Sequence, residues 1–308
     1  MTQRATTIQR TQKRIRNFSF REHRFDIINT FFLIILVFIC LYPIVFSLSA
    51  SFSDPVAVTS GDVILFPKRI TFESYEAVFG NQDILRGYRN SILIALMGTF
   101  VNMVMTVLAA FPLSRKDLAG RNAITFIIML TMFFSGGMIP NYLLIQDLGM
   151  HNTWAALILP GAISTYNMII MRTYFQTSVP FELQEAAVID GASNTKILLM
   201  IVLPLSAPVL AVISLYYLVG HWNAYFNALL YIRDRTLYPL QLILRDILVL
   251  DETTLFQTSD VTSAVTKIRR AETIKYAVVI VSSVPMLILY PFVQRFFVKG
   301  VQIGALKG

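Results

Sequence analysis

Hydrophobic positions along this chain gather into long runs without a single Asp, Glu, Lys or Arg. Six such stretches stand out, at 27–50, 91–114, 123–146, 151–171, the later part of 197–232, and 276–294. Each is near or above the roughly 20 apolar residues that carry a helix across about 30 Å of hydrocarbon. The pattern predicts an all-α polytopic membrane protein with six transmembrane helices. The third stretch is interrupted by Ser135, Gly136, Gly137 and Pro140. A span tolerates such breaks only where neighbouring helices or a water-filled cavity satisfy the freed backbone groups. The chain then divides into a basic arm (1–26), a first span (27–50), an extracytoplasmic loop (51–90), a core (91–297) that contains a polar loop at 180–204, and a tail (298–308).

Composition strengthens the membrane assignment. Of 308 residues, 55% are hydrophobic and 14% charged, and mean hydropathy is +0.62, beyond the apolar share of an average soluble domain. With the amino terminus in the cytoplasm, the inside segments 1–26, 115–122, 172–196 and 295–308 hold 15 of the 26 basic residues but 6 of the 18 acidic ones. This asymmetry predicts a multi-pass protein of the cell membrane with both termini cytoplasmic. Arg269, Arg270 and Lys275 run against it, at the outer end of the last span. The basic arm (Arg4, Arg10, Lys13, Arg14, Arg16, Arg21, Arg24) suits anionic lipid headgroups rather than nucleic acid. The first apolar run is longer than that of a secretory signal and five more spans follow it. The single cysteine, Cys40, lies in the first span, so no disulfide framework or thiolate metal site is available.

The loop 180–204 is too polar in its first half to cross a bilayer, yet its helix signals are strong. Pro180 suits a first helical position, and Glu182 favours the positive end of the helix dipole. Leu183, Ala186, Ala187 and Asp190 then share a face of mostly small side chains. Gly191 ends the helix in the left-handed conformation, and Ser193 caps a second helix over 194–202. Its Ile197, Leu198, Ile201 and Val202 would lie along the membrane surface or tuck beneath the bundle. Pro204 and Pro208 break it and open the fifth span. The product is a helix-turn-helix offered to a soluble partner.

Within that loop, Glu185-Ala186-Ala187, three residues, Gly191, nine residues, Ile201, one residue and Leu203-Pro204 resemble the EAA signature of binding-protein-dependent ABC importer permeases. Trp222-Asn223, the stretch 228–231, Leu237-Tyr238-Pro239-Leu240 and the tail residues 294–300 and 304–308 are similar to the carbohydrate branch of that family. The likeness is greatest to the second, G-type subunit of maltose-type importers and to permeases of complex oligosaccharides or aldouronates. It implies the maltose-type permease fold and a docking role for the loop. Glu185 would make a charged contact to a separate ATPase, Ala186 and Ala187 would allow close approach, and Gly191 would make the bend. Ile201, Leu203 and Pro204 complete the coupling element. Its implied partners are ABC ATPase subunits, a second homologous permease, an extracytoplasmic solute-binding protein, a sugar substrate and membrane lipids. The chain has no phosphate-cradling G-x-x-x-x-G-K-[ST] loop, and Gly191 to Lys196 lacks the second glycine and the following hydroxyl residue. No cofactor is therefore expected on this chain, with ATP and Mg bound by the partner ATPase.

Polar and aromatic residues in the spans are candidates for a sugar path: Asn102, Asn167, Tyr216, Tyr217, His221, Trp222, Asn223, Tyr225 and Asn227. Amides bond hydroxyls and aromatic rings stack on C–H faces. The same residues also serve ordinary membrane packing, with Asn bonding across helices and Trp or Tyr near the interface. An ion-coupled secondary transporter is the alternative, but the spans carry no acidic or basic group beyond His221, a poor relay alone. An enzyme would need converging groups. His23, His151 and His221 are scattered, and Asp251, Glu252 and Asp260 fall in an outer loop that solvation explains, or that meets a sugar-binding protein.

Overall fold

The structure, a computed structural model, describes residues 20–254, 272–291 and 294. Most of the basic arm, Asp260, Arg269, Arg270 and the tail from 295 onward lie outside the described residues. Among those described, all regular structure is helical, as the hydrophobic runs predict.

Helix α1 (Phe20–Ser51) is followed by two short outer helices, α2 (Pro55–Thr59) and α3 (Glu73–Gly80), and then by α4 (Gln82–Ser114). At 33 residues, α4 is about 50 Å long and forms the post around which the others pack. It starts nine residues before the predicted span because the Asn81 side chain accepts from the N–H groups of Asp83 and Ile84, at 2.9 and 3.4 Å. That cap lets a polar, charged turn continue the helix beyond the hydrocarbon. By contrast, α1 exposes its whole apolar window and is anchored at its outer end. There Phe46 meets Tyr276 edge-on at 5.6 Å, and the Ser49 hydroxyl donates to the Leu65 carbonyl at 2.6 Å.

Three predicted spans are not continuous helices. The third consists of α5 (Arg121–Leu130) and α6 (Met138–Asp147), parted by an irregular segment that ends at Gly137, with φ +88. The fourth consists of a single turn, α7 (Ala155–Ile158), and α8 (Thr165–Ser178), interrupted around Pro160-Gly161. The fifth is bent by 85° between α10 (Asn194–Leu205) and α11 (Ala207–Asn223). Helix α9 (Phe181–Ile189) precedes this pair and α12 (Phe226–Tyr231) follows it. Among the described residues, helices α1, α4 and α14 (Glu272–Pro291) are long and apolar enough to cross a membrane, making up to four spans if the bent pair is one. The break in the third span falls where Ser135, Gly136, Gly137 and Pro140 interrupt its pattern, whereas the one in the fourth is missed because a charge-free run registers composition and not backbone continuity. Prediction from such runs also misses α13 (Leu240–Thr254) inside the supposed outer loop, where Leu240, Leu242, Ile243 and Leu244 are buried.

Two apolar clusters hold the bundle at its ends. Near the C-terminal end of α4, Phe111 and Leu113 meet Met168, Met171 and Phe175 of α8, Ile197, Leu198 and Val202 of α10, and Val209 and Ile213 of α11. At the other end, Val78 and Ile84 pack with Trp222, Leu240, Ile243, Ala277 and Val278. Close helix contact between these clusters requires glycine at two places on α4. A Cβ on Gly87 would stand 3.2 Å from the Leu240 Cα, and one on Gly98 would lie 2.4 Å from His221 Nε2.

Gly98→Val is therefore expected to destabilise the chain by about 1–3 kcal/mol through overpacking. The measurement is the midpoint of thermal unfolding in detergent, followed by tryptophan fluorescence. Gly220→Ala, where an added Cβ meets nothing within 4 Å, should leave that midpoint unchanged or raise it.

Candidate functional site

The loop after α8 folds as a rigid elbow. Pro180 takes the N-cap rather than the first helical position, with ψ 131, so α9 begins one residue later than predicted. Lys116 Nζ lies 5.0 Å from the centroid of the Phe181 ring. At the other end the chain reverses through paired bonds, from the Ala192 N–H to the Ala187 carbonyl at 2.9 Å and from the Gly191 N–H to the Val188 carbonyl at 3.0 Å. This is a Schellman closure, and it demands the left-handed conformation that Gly191 adopts at φ +76. The Ser193 hydroxyl then accepts from the Lys196 N–H at 3.3 Å, capping α10 as predicted.

The two halves of the elbow have different surroundings. On α9, Leu183, Glu185, Ala186, Val188 and Asp190 are exposed, and Ile189 is 86% exposed. Ala187 instead packs against the core cluster and Gln184 is buried, so the predicted small-residue face is divided between bundle and surroundings. On α10, Ile197, Leu198 and Val202 are buried in the cluster they form with Phe111 and Phe175. Of the two positions open to this helix, it takes the one beneath the bundle. Residues Leu198–Val202 form a π turn immediately before the Leu203–Leu205 turn that holds Pro204. A proline lacks the N–H that an α-helix would use there, and a widened turn absorbs the loss. The 85° break falls at Ser206, two residues beyond Pro204. The Ser206 N–H reaches the Val202 and Leu203 carbonyls at 3.0 and 3.1 Å. Thus Ile201, Leu203 and Pro204 lie at the joint between elbow and span.

Neighbouring charged groups close the C-terminal end of α4. Arg172 Nε donates to the Leu113 carbonyl at 2.9 Å, and Arg121 Nη1 donates to the Arg115 carbonyl at 3.0 Å. Arg115 and Asp117 form a two-pronged pair at 2.8 and 2.7 Å. The guanidinium holds the Asp117 carboxyl below the usual carboxylate range.

Several candidate path residues have hydrogen-bond partners within the protein. His221 Nε2 and Asn102 Oδ1 are 2.7 Å apart. Because Asn102 Nδ2 donates to the Gly161 carbonyl, Oδ1 is the acceptor and Nε2 carries the proton. One turn along both helices, Thr106 Oγ1 and the Tyr217 hydroxyl share a bond of 2.7 Å, and the same hydroxyl accepts from the Ser164 N–H at 3.1 Å. The interruption in the fourth span is thus served from α4 and α11. Trp222 is buried, donates to the Ser282 carbonyl at 3.3 Å and meets Tyr88 edge-on at 5.7 Å. Asn167 is buried on α8. Tyr216, Asn223, Tyr225 and Asn227 are exposed.

Of these, Asn227 lines a cavity of about 600 Å³ between α6, α7 and α12, with Asn141, Met150, Pro160, Gly161 and Tyr231 among its walls. Asn141, Pro160 and Gly161 escaped the sequence reading. Their signal was the pair of interrupted runs, since Asn141 follows Pro140 and Pro160-Gly161 splits the fourth stretch. The Leu237-Tyr238-Pro239-Leu240 stretch serves the scaffold as well. Asn90 Nδ2 donates to the Thr236 and Tyr238 carbonyls at 2.8 and 3.0 Å, and the Leu240 N–H donates to Ser91 Oγ at 2.8 Å. No group of three His, Cys, Asp or Glu that could hold a metal ion occurs among the described residues.

Comparison with known proteins agrees with this architecture. Residues 87–303 match the family model described as a binding-protein-dependent transport system inner membrane component. The polygalacturonan/rhamnogalacturonan transport system permease protein YtcP of Bacillus subtilis (strain 168) is 39% identical over 284 residues, which cover 92% of this chain and 98% of the relative. The trehalose/maltose transport system permease protein MalG of Thermococcus litoralis is 30% identical over 282 residues, 89% of this chain and 94% of the relative. A solved bacterial ABC transporter, involved in import of the acidic polysaccharide alginate, contains a chain that superposes with a TM-score of 0.83 at 33% identity. The match covers 91% of this chain and 99% of that one. With the family model matching most of its length and relatives matched almost end to end, this chain belongs to the family of inner membrane components of binding-protein-dependent transport systems.

Proposed function

We propose that the chain is one permease half of an ATP-driven importer of oligosaccharides. The observation that carries this reading is the elbow, which holds an exposed helix outside the bundle by one face while its second half is buried inside. Such an element transmits displacement. Glu185, with the exposed Leu183, Ala186 and Ile189, would seat in a groove of a separate ATPase, which binds ATP and Mg. Closure of an ATPase dimer would then press α10 against Phe111, Leu113 and Phe175 and shift the bundle between inward-open and outward-open states. A second homologous permease would complete the path, and an extracytoplasmic solute-binding protein would deliver the sugar. In this reading α5–α6 and α7–α8 are each one interrupted crossing, giving six in all with both termini cytoplasmic.

The sugar class is supported by the relatives' names, which include systems for galacturonans and for trehalose or maltose. Both acidic and neutral sugars appear among them, so the names alone select neither.

Glu185→Lys, which reverses the exposed charge, should lower ATP-driven uptake at least ten-fold while leaving membrane insertion intact. Gly191→Val should do the same, because a β-branched residue at φ +76 strains the turn by about 1–2 kcal/mol. Uptake into proteoliposomes containing the permeases, ATPase and binding protein is the assay, and wild-type rates in either variant would remove the coupling role. A cysteine at Ile189, in a chain lacking Cys40, should cross-link to the ATPase in intact cells. Sugar uptake driven by a proton or sodium gradient without ATP or the ATPase would instead establish a secondary transporter.

A further inference from the structure

The cavity of about 600 Å³ between α6, α7 and α12 contains two groups that a membrane interior does not leave unused. Asn141 and Asn227 both line it, both side chains are exposed, and neither amide has a hydrogen-bond partner among the described residues. A polar group in a membrane bundle costs free energy unless it is hydrogen-bonded, so it persists where it lines a water-filled cavity or binds a ligand. Among the described lining residues there is no Lys, Arg, Asp or Glu. The remaining walls include the apolar Leu144, Met150 and Tyr231.

These walls are also firmly set. The Tyr231 ring stacks on Tyr142 at 6.0 Å, and the Tyr142 hydroxyl lies 3.3 Å from His151 Nε2. The Gly161 carbonyl is bonded to Asn102, and a Cβ at Gly161 would meet nothing within 4 Å, so this backbone borders open space. Paired amides, an apolar wall and exposed backbone without a formal charge suit a ring that carries hydroxyls and C–H faces but no carboxylate. A uronate carboxylate seated here would lose water without gaining a counter-charge.

We infer that this cavity is a subsite for one uncharged glycosyl unit of the transported oligosaccharide, bound through the Asn141 and Asn227 amides. The inference rests on the importer reading and narrows it. This half of the path holds a neutral ring, even when the whole oligosaccharide is acidic elsewhere.

The test uses the complete complex in proteoliposomes, supplied in turn with maltotriose, a galacturonate trimer and a mixed rhamnose–galacturonate tetramer on the binding protein. Asn141→Leu and Asn227→Leu should each reduce sugar carried per ATP hydrolysed about ten-fold for the sugars the wild type carries. A purely structural fault would lower hydrolysis in proportion and leave that ratio unchanged. In a Cys40→Ala background, Asn141→Cys and Asn227→Cys should react with a membrane-impermeant thiol reagent, and a carried sugar containing a neutral unit should slow the reaction during turnover. Unreactive cysteines, an unchanged ratio in both leucine variants, or protection by the galacturonate trimer alone would each overturn the subsite. Failure of the wild-type complex to carry any of the sugars, with ATP hydrolysis intact, would count against the oligosaccharide reading itself.

Discussion

Breaking a helix inside a membrane frees backbone N–H and C=O groups that lipid cannot bond, and the organisation of this bundle follows from that constraint. Its fourth span is interrupted, and the two polar rungs between α4 and α11 supply what the interruption lacks. Asn102 serves the Gly161 carbonyl and Tyr217 serves the Ser164 N–H. His221 and Thr106 complete these rungs and orient the side chains that reach the break. The Gly98 position then becomes intelligible, because the imidazole can reach Asn102 only if α4 carries no side chain there. Sequence, helix contact and backbone satisfaction are here one requirement.

At the elbow a different problem is solved with the same economy. Displacement of α9 can reach the bundle only if the intervening joint does not bend freely. The Schellman closure at Gly191, the Ser193 cap and the burial of Ile197, Leu198 and Val202 make the elbow stiff. The π turn and Pro204 then redirect the chain into α11. The last turn of this same helix carries His221, so the element that meets the elbow at one end also meets the fourth-span break at the other.

The sequence exposed some of these features and concealed others for identifiable reasons. Gly191 and Ser193 were legible because local backbone geometry selects their residue types. The EAA spacing was legible because it falls in a polar segment between apolar runs. The break in 123–146 was legible from Ser135, Gly136, Gly137 and Pro140, whereas the one in 151–171 was not, since a charge-free run says nothing of whether its backbone stays helical. Helix α13 was hidden by charged residues on its outer face, although Leu240, Ile243 and Leu244 bury the opposite one. Tyr217, His221 and Trp222 carry chemistry that suits a sugar and a buried polar scaffold alike. Only their partners in space separate the two roles. Asn141 was the reverse case, an ordinary amide in the sequence whose lack of a partner among the described residues marks it out in the fold.

The first helix adds a last consequence. Its apolar window touches none of the interior, and its attachment is confined to the outer end through Phe46 and Ser49. The packing of the remaining helices therefore places almost no demand on which apolar side chains it carries. Substitutions along its length are filtered by whatever lies beside it in the bilayer, lipid or another subunit, and not by the machine it is tethered to.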